Sequence, residues 1–243
     1  MKHARIIALF AAGLTLTLPL TLGGCVNVLP KVKPVQLYRF GYHPDLLKDK
    51  DAAAAATTTT TAAPVPLMLG AISFPPASAG DQVMTTEDNE VSYVAQARWA
   101  ASAQSMFTEA VSEGFARSDQ TVMLVPRGPT AADYRLDVSV RRFEASYSHG
   151  RPTVYIGVDA RLLRLSDRSV LAQRYISASV SVRRNDMTLI SQGFDQATTE
   201  VVAGLTGFAD ASLKNAAPPP TPTQPGDKAS DKASDKGRKV EGL

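Results

Sequence analysis

The stretch 134–140 reads Y-R-L-D-V-S-V, with Tyr134, Leu136, Val138 and Val140 alternating with Arg135, Asp137 and Ser139. A period of two with one polar side is the mark of a strand buried on one face only. The next two segments repeat the pattern. Val154, Ile156, Val158, Ala160 and Leu162 alternate with Tyr155, Gly157, Asp159 and Arg161, and Ala172, Ile176, Ala178, Val180 and Val182 share a parity that Arg174 breaks. Ser166-Asp167-Arg168 reads as the hairpin loop between them. Phe143 falls out of phase with Val140, which places a bulge or strand end near Arg141 and Arg142. Three long strands of this kind form an antiparallel sheet covered on one side.

Working outward, the cover has to be helical. Trp99, Ala103, Met106, Phe107, Ala110, Val111 and Phe115 recur at three- and four-residue spacings, so they form one apolar helix face. Ile190, Phe194, Ala197, Val201, Leu205, Phe208 and Leu213 mark a second stripe. Gly193, Gly204 and Gly207 each weaken that helix by about 1 kcal/mol relative to Ala and are expected to let it pack closely on the sheet. Shorter strands are expected within Pro34 to Tyr42, Leu67 to Phe74 and Thr121 to Val125. Gln82 to Thr86 and Glu90 to Ala95 should form a hairpin around Asp88-Asn89. The fold class that follows is α+β: a two-layer sandwich, a mostly antiparallel sheet with two amphipathic helices on one face.

The chain has 243 residues, and the domain is assigned to 34–215. Within it, Asp51 to Pro64 is a low-complexity Ala/Thr loop. After it, 216–243 is a Pro-rich tail with D-K-A-S at 227–230 and 231–234. The tail carries almost no large apolar residue and is expected to be disordered.

The N-terminus is of another kind. Lys2 and Arg5 precede an apolar run from Ile6 to Leu22, followed by Gly23, Gly24 and Cys25. A basic start, an apolar run and small residues form a secretory signal. Its L-G-G-C ending resembles the bacterial lipobox. That resemblance implies a signal peptide over 1–24, cleavage between Gly24 and Cys25, and covalent lipid of the palmitate type on Cys25, with 25–33 as a lipidated tether. Val26, where an Asp commonly retains such proteins at the inner membrane, implies export to the periplasmic face of the outer membrane. Cys25 is the single cysteine, so no intramolecular disulfide is expected.

The formal net charge is +3, and loss of Lys2 and Arg5 leaves 24 basic against 23 acidic residues. That balance, without basic clusters interleaved with aromatics, argues against nucleic acid. His43 and His149 have no second ligand at metal spacing. G-x-S-x-G and Walker A sequences are absent. Asp137 and Asp159 share the polar sheet face with Arg135, Arg141 and Arg161, which reads as a charged contact surface rather than a glycosidase carboxylate pair. No enzyme activity, metal or cofactor is expected.

The order of elements resembles a known family. After the lipobox comes a strand ending Q-L-Y-R-F, then V-S-Y-V-A-Q-A-R-W-A, the helix A-S-A-Q-S-M-F-T-E-A-V, the block D-Y-R-L-D-V-S-V-R-R-F-E-A, and V-Y-I-G-V-D-A-R-L-L leading to S-V-L-A-Q-R-Y-I. This is similar to the ABC-type transport auxiliary lipoproteins, the PqiC-like family, from about Val35 to Leu213. The Ala/Thr stretch and the DKAS tail depart from it. The resemblance implies a non-enzymatic accessory of an MCE-type lipid transport system, docking the periplasmic MCE-domain subunit at the outer membrane and supporting envelope integrity. A structural or pilotin-like assembly lipoprotein is the competing expectation, and a homo-oligomer is compatible with either. Tyr38, Phe40, Tyr93 and Trp99 are aromatic binding candidates, with Trp99 better suited to the core. Tyr155, Arg161, Tyr175 and Arg135 on the polar face are the candidate partner-binding residues, since Tyr and Arg are enriched at interface hot spots.

Overall fold

A computed structural model of the chain describes residues 34–47, 64–118, 122–126, 132–148 and 150–215. The expected signal and tether with Cys25 and Val26, the Ala/Thr residues 51–63, His149 and residues 216–243 lie outside these. Every element below belongs to one unit, Val35–Leu243. In chain order they are β1 (Gln36–Tyr38), a 3-10 turn (Pro44–Leu47), β2 (Val65–Ser73), α1 (Pro76–Ala79), β3 (Gln82–Glu87), β4 (Glu90–Trp99), α2 (Ala103–Arg117), β5 (Val122–Val125), β6 (Tyr134–Ser148), β7 (Arg151–Arg164), β8 (Val170–Ser181) and α3 (Met187–Lys214).

The antiparallel meander is as the alternation requires. β6 pairs with β7 from Tyr134↔Arg164 to Ser148↔Arg151, and β7 pairs with β8. Leu136, Val138, Val140, Val154, Ile156, Val158, Ala160 and Leu162 are all buried. The register of β6 shifts between Val140 and Arg142. This is the bulge that Phe143 demands: the extra residue returns Phe143 to the inner face, where it is 2% exposed. Arg168 closes the β7–β8 turn at φ 58°.

The other edge of β6 is where sequence reading fell short. Its first half takes β2 in parallel (Leu67↔Tyr134 to Ser73↔Ser139), and its end takes β3 in parallel (Thr85↔Ala145 to Glu87↔Tyr147). The chain runs along one edge of β6 twice and steps off between for α1. β5 then adds to β2 in parallel, the β3–β4 hairpin is antiparallel, and β1 pairs with β4 in parallel. The sheet of eight strands is therefore mixed, with its longest pairings antiparallel. Residue alternation reports which face a side chain takes, but not the direction of the neighbouring strand.

Both long helices cover the inner face. Ser102 starts α2 by accepting the Ser105 N–H at 3.1 Å, and Asp186 starts α3 by accepting from Leu189 at 3.1 Å. Side-chain caps of this kind satisfy amide donors that the first turn leaves unpaired. Trp99 therefore ends β4 instead of opening the helix stripe. Its N–H donates to the Asp81 carbonyl at 2.7 Å, and its ring packs edge-on to Phe40 at 4.9 Å and Phe194 at 5.0 Å. α2 and α3 meet at Gly114, where a Cβ would collide with Val202. Gly204 is similarly pressed on Ile176 and Gly193 on Val154, whereas Gly207 has no neighbour within 4 Å. Two of the three α3 glycines thus serve close packing. Arg174 has inward parity but stays exposed, because it sits by Phe208, Ala211 and Asn215 at the end of α3. A cation there is favoured by the helix dipole.

Candidate functional site

Among the described residues, no helix lies over the outer face of β6, β7 and β8. Alternation along each strand directs Arg135, Asp137, Ser139, Tyr155, Asp159, Arg161 and Tyr175 to this side, and the bulge adds both Arg141 and Arg142. Charged groups there organise in pairs. Arg135 donates to Asp137 at 2.8 Å, Arg141 to Asp159 at 2.6 Å, and Arg142 to Glu144 at 2.8 Å. The Arg142 guanidinium also stacks 4.4 Å over the Tyr155 ring. Tyr175 leans across β7, so that a Cβ at Gly157 would meet its hydroxyl, yet the side chain remains 52% exposed.

Ion pairs open to solvent, as Arg135–Asp137 and Arg141–Asp159 are, contribute only about 0–1 kcal/mol each, while Glu144 of the third pair is buried. Their value here is positional, since they fix side chains that would otherwise sample many rotamers. Arg161 has no ion-pair partner among the described residues. It opens into a cleft of about 620 Å³, lined also by Arg135, Asp137, Asp159, Met68 and Gly70. Gly70 lies where the register of β2 on β6 is irregular, and a Cβ there would collide with the Asp137 carboxylate. The glycine lets that carboxylate lie flat over β2.

The four predicted contact residues, Tyr155, Arg161, Tyr175 and Arg135, are therefore on one open face. Arg142 joins them although sequence reading did not single it out; the Val140–Phe143 phase change was its signal. Gly70 had only the weak signal of a glycine inside a strand. Asp137 and Asp159 are each held by an arginine. Of the aromatic candidates, Phe40 and Trp99 are in the core, Tyr38 is partly buried against it, and Tyr93 is 41% exposed. Among the described residues, no group of three His, Cys, Asp or Glu could hold a metal ion, and no helix is long and apolar enough to cross a membrane.

His43 has a structural setting. The segment after β1 is clipped to α3: the Gly41 N–H donates to Asp195 and the His43 N–H to Thr199, both at 3.0 Å. The His43 ring nitrogen Nε2 lies 3.3 Å from the same carboxylate. Burial raises the Asp195 carboxyl above its ordinary 3.8, against the lowering effect of the Gly41 hydrogen bond and His43. A raised carboxylate stabilises most below its unfolded value, and this contribution is lost as pH rises through the folded value. Asp195→Asn keeps an acceptor for Gly41 without the charge, so it should stay within about 1 kcal/mol of wild type at pH 7. It should also flatten the decline in stability above pH 4. Asp195→Ala leaves the Gly41 N–H without its partner and should cost about 1–3 kcal/mol. Urea denaturation across pH checks both, and equal destabilisation by Asn and Ala would refute the assignment.

Residues 46–205 match the family model described as ABC-type transport auxiliary lipoprotein component. Among solved structures, a Xanthomonas campestris protein assigned to DUF330 is similar at 24% identity and a TM-score of 0.60, over 74% of this chain and 97% of that one. A second structure, of an uncharacterized protein, is similar at 14% identity and a TM-score of 0.55, over 73% and 99% of the two chains. At these identities the two structures establish the shared fold alone. No curated protein matches the sequence at a significant level.

Proposed function

The chain belongs to the ABC-type transport auxiliary lipoprotein component family, and from that membership we propose that it docks the periplasmic MCE-domain subunit of a lipid transport system at the outer membrane, held there by lipid on Cys25. The family is one of auxiliary components, so transport chemistry falls to other subunits. The observation that carries the reading is the open β6–β8 face, where ion pairs fix Arg135, Arg141 and Arg142 and a cation–π contact fixes Tyr155 in advance. Preorganised groups lose less conformational entropy when a partner arrives. Arg161 is the anchor left on that face without an ion-pair partner among the described residues, and Tyr155 and Tyr175 supply flanking amphipathic area.

Tyr155→Ala combined with Arg161→Ala tests this. Hot-spot truncations cost about 2 kcal/mol or more each, so co-purification of the MCE subunit should fall more than tenfold. Both side chains lie on the solvent side of the sheet, and thermal unfolding should shift little. Unchanged co-purification by a folded double variant would refute this face as the docking surface.

A further inference from the structure

We propose that the free edge of β8 receives an extended, acidic segment of the docking partner as a ninth strand, a proposal that rests on the docking function stated above. β8 is twelve residues long and, among the described residues, pairs with β7 alone. By contrast β1 and β5, the strands that end the other branches of the sheet, have three and four residues. A long unpaired edge is a template for strand addition unless something blunts it.

The phase of the edge follows from one hydrogen bond. The Val182 N–H donates to the Pro152 carbonyl at 2.9 Å, and the register is unbroken from Thr153↔Ser181 to Leu162↔Ala172. Residues of β8 that share Val182's parity therefore turn their backbone groups towards β7. Gln173, Tyr175, Ser177, Ser179 and Ser181 turn theirs away, to the open edge. All five are exposed. Three carry short side chains, and Tyr175 leans back over Gly157, so no described side chain of β8 obstructs the edge. Backbone pairing of this kind supplies affinity while alternate side chains supply specificity.

Charge selects the occupant. Arg168 precedes the strand, Arg174 lies within it, and Arg183 and Arg184 follow it. None of the four has an ion-pair partner among the described residues. Nearby acids are already engaged: Asp167 holds Arg164 at 3.2 Å, and Asp186 caps α3. Two copies of this edge would bring like charges together, whereas an acidic strand meets complementary ones.

The test places a photo-crosslinking residue at Ser179 of the full chain in its native envelope, and sequences the adduct. The expected adduct is with the docking partner, the MCE-domain subunit, within a stretch rich in Asp and Glu, and an adduct with another subunit instead would overturn the proposal. Ser177→Pro deletes an N–H aimed at the open edge and leaves the β7 ladder intact, as prolines on edge strands do. It should lower the adduct at least tenfold, with Ser177→Thr unchanged. Arg183→Ser with Arg184→Ser, outside the strand, should lower it severalfold, and so should raised salt. An adduct with a second copy's β8, with residues 216–243 of this chain or with a neutral or basic stretch would overturn the proposal. So would full retention in Ser177→Pro. If the edge adduct is absent while the MCE subunit still co-purifies through Tyr155 and Arg161, the ninth strand is wrong and the docking function stands. If wild type co-purifies with no transport subunit, the docking function itself fails.

Discussion

Cys25→Ser is expected, on the proposed role, to leave a folded domain outside the outer-membrane fraction and to fail to support envelope integrity. Each buried methylene of a lipid anchor contributes about 0.8 kcal/mol, and one acyl chain alone holds a protein only marginally. Lipid on Cys25 is the anchor implied by the L-G-G-C ending of the signal, and no second cysteine exists to replace it. The domain does not need the residue to fold: its buried cluster runs from Phe40 to Leu213. An accessory that works by holding a partner at one membrane loses its purpose when it no longer reaches that membrane. Fractionation and complementation of a deletion strain measure both effects. A Cys25→Ser protein absent from the outer membrane that complements fully would show that anchoring is dispensable.

Phe143→Ala should have the largest effect on stability. The Phe143 ring lies 4.9 Å from Phe194, 5.1 Å from Phe40 and 5.5 Å from Phe74, with Phe107 and Trp99 at 6.3 and 6.5 Å. It joins the sheet to α2 and α3. Truncating such a ring removes transfer energy and leaves a cavity, at about 3–5 kcal/mol, a large share of the roughly 5–15 kcal/mol that holds a domain folded. The consequence reaches the outer face. Phe143 sets the bulge, and the bulge presents Arg141 to Asp159 and Arg142 to Tyr155. Urea unfolding measures the loss, with partner binding measured under conditions where the variant is still folded. A change below about 1 kcal/mol would mean that Phe143 is not the keystone of this core.

The features that were legible in the sequence share a physical basis. The β6–β7–β8 meander follows from period-two burial, and the bulge followed from one residue out of phase. The polar face was legible for the same reason: side chains at alternate positions must go to the uncovered side. The parallel pairings of β2 and β3 on β6 were not legible, because strand direction is set by contacts across tens of residues. Trp99 was misplaced into the helix stripe because Ala103 and Met106 follow it at helical spacing. The Ser102 cap, which ends the extended segment, settles the boundary. The roles of Gly70 and Gly157 depend on what crosses over them, and Asp195 depends on a segment more than 150 residues away. Such long-range contacts leave no periodic trace.

Affinity purification of the full chain from detergent-solubilised envelope tests the account most directly. The account predicts that wild type brings down the MCE-domain subunit together with its permease and ATPase, and that Tyr155→Ala with Arg161→Ala loses more than nine-tenths of that yield while remaining folded. Recovery of secretin subunits instead, or a double variant as effective as wild type, would contradict it.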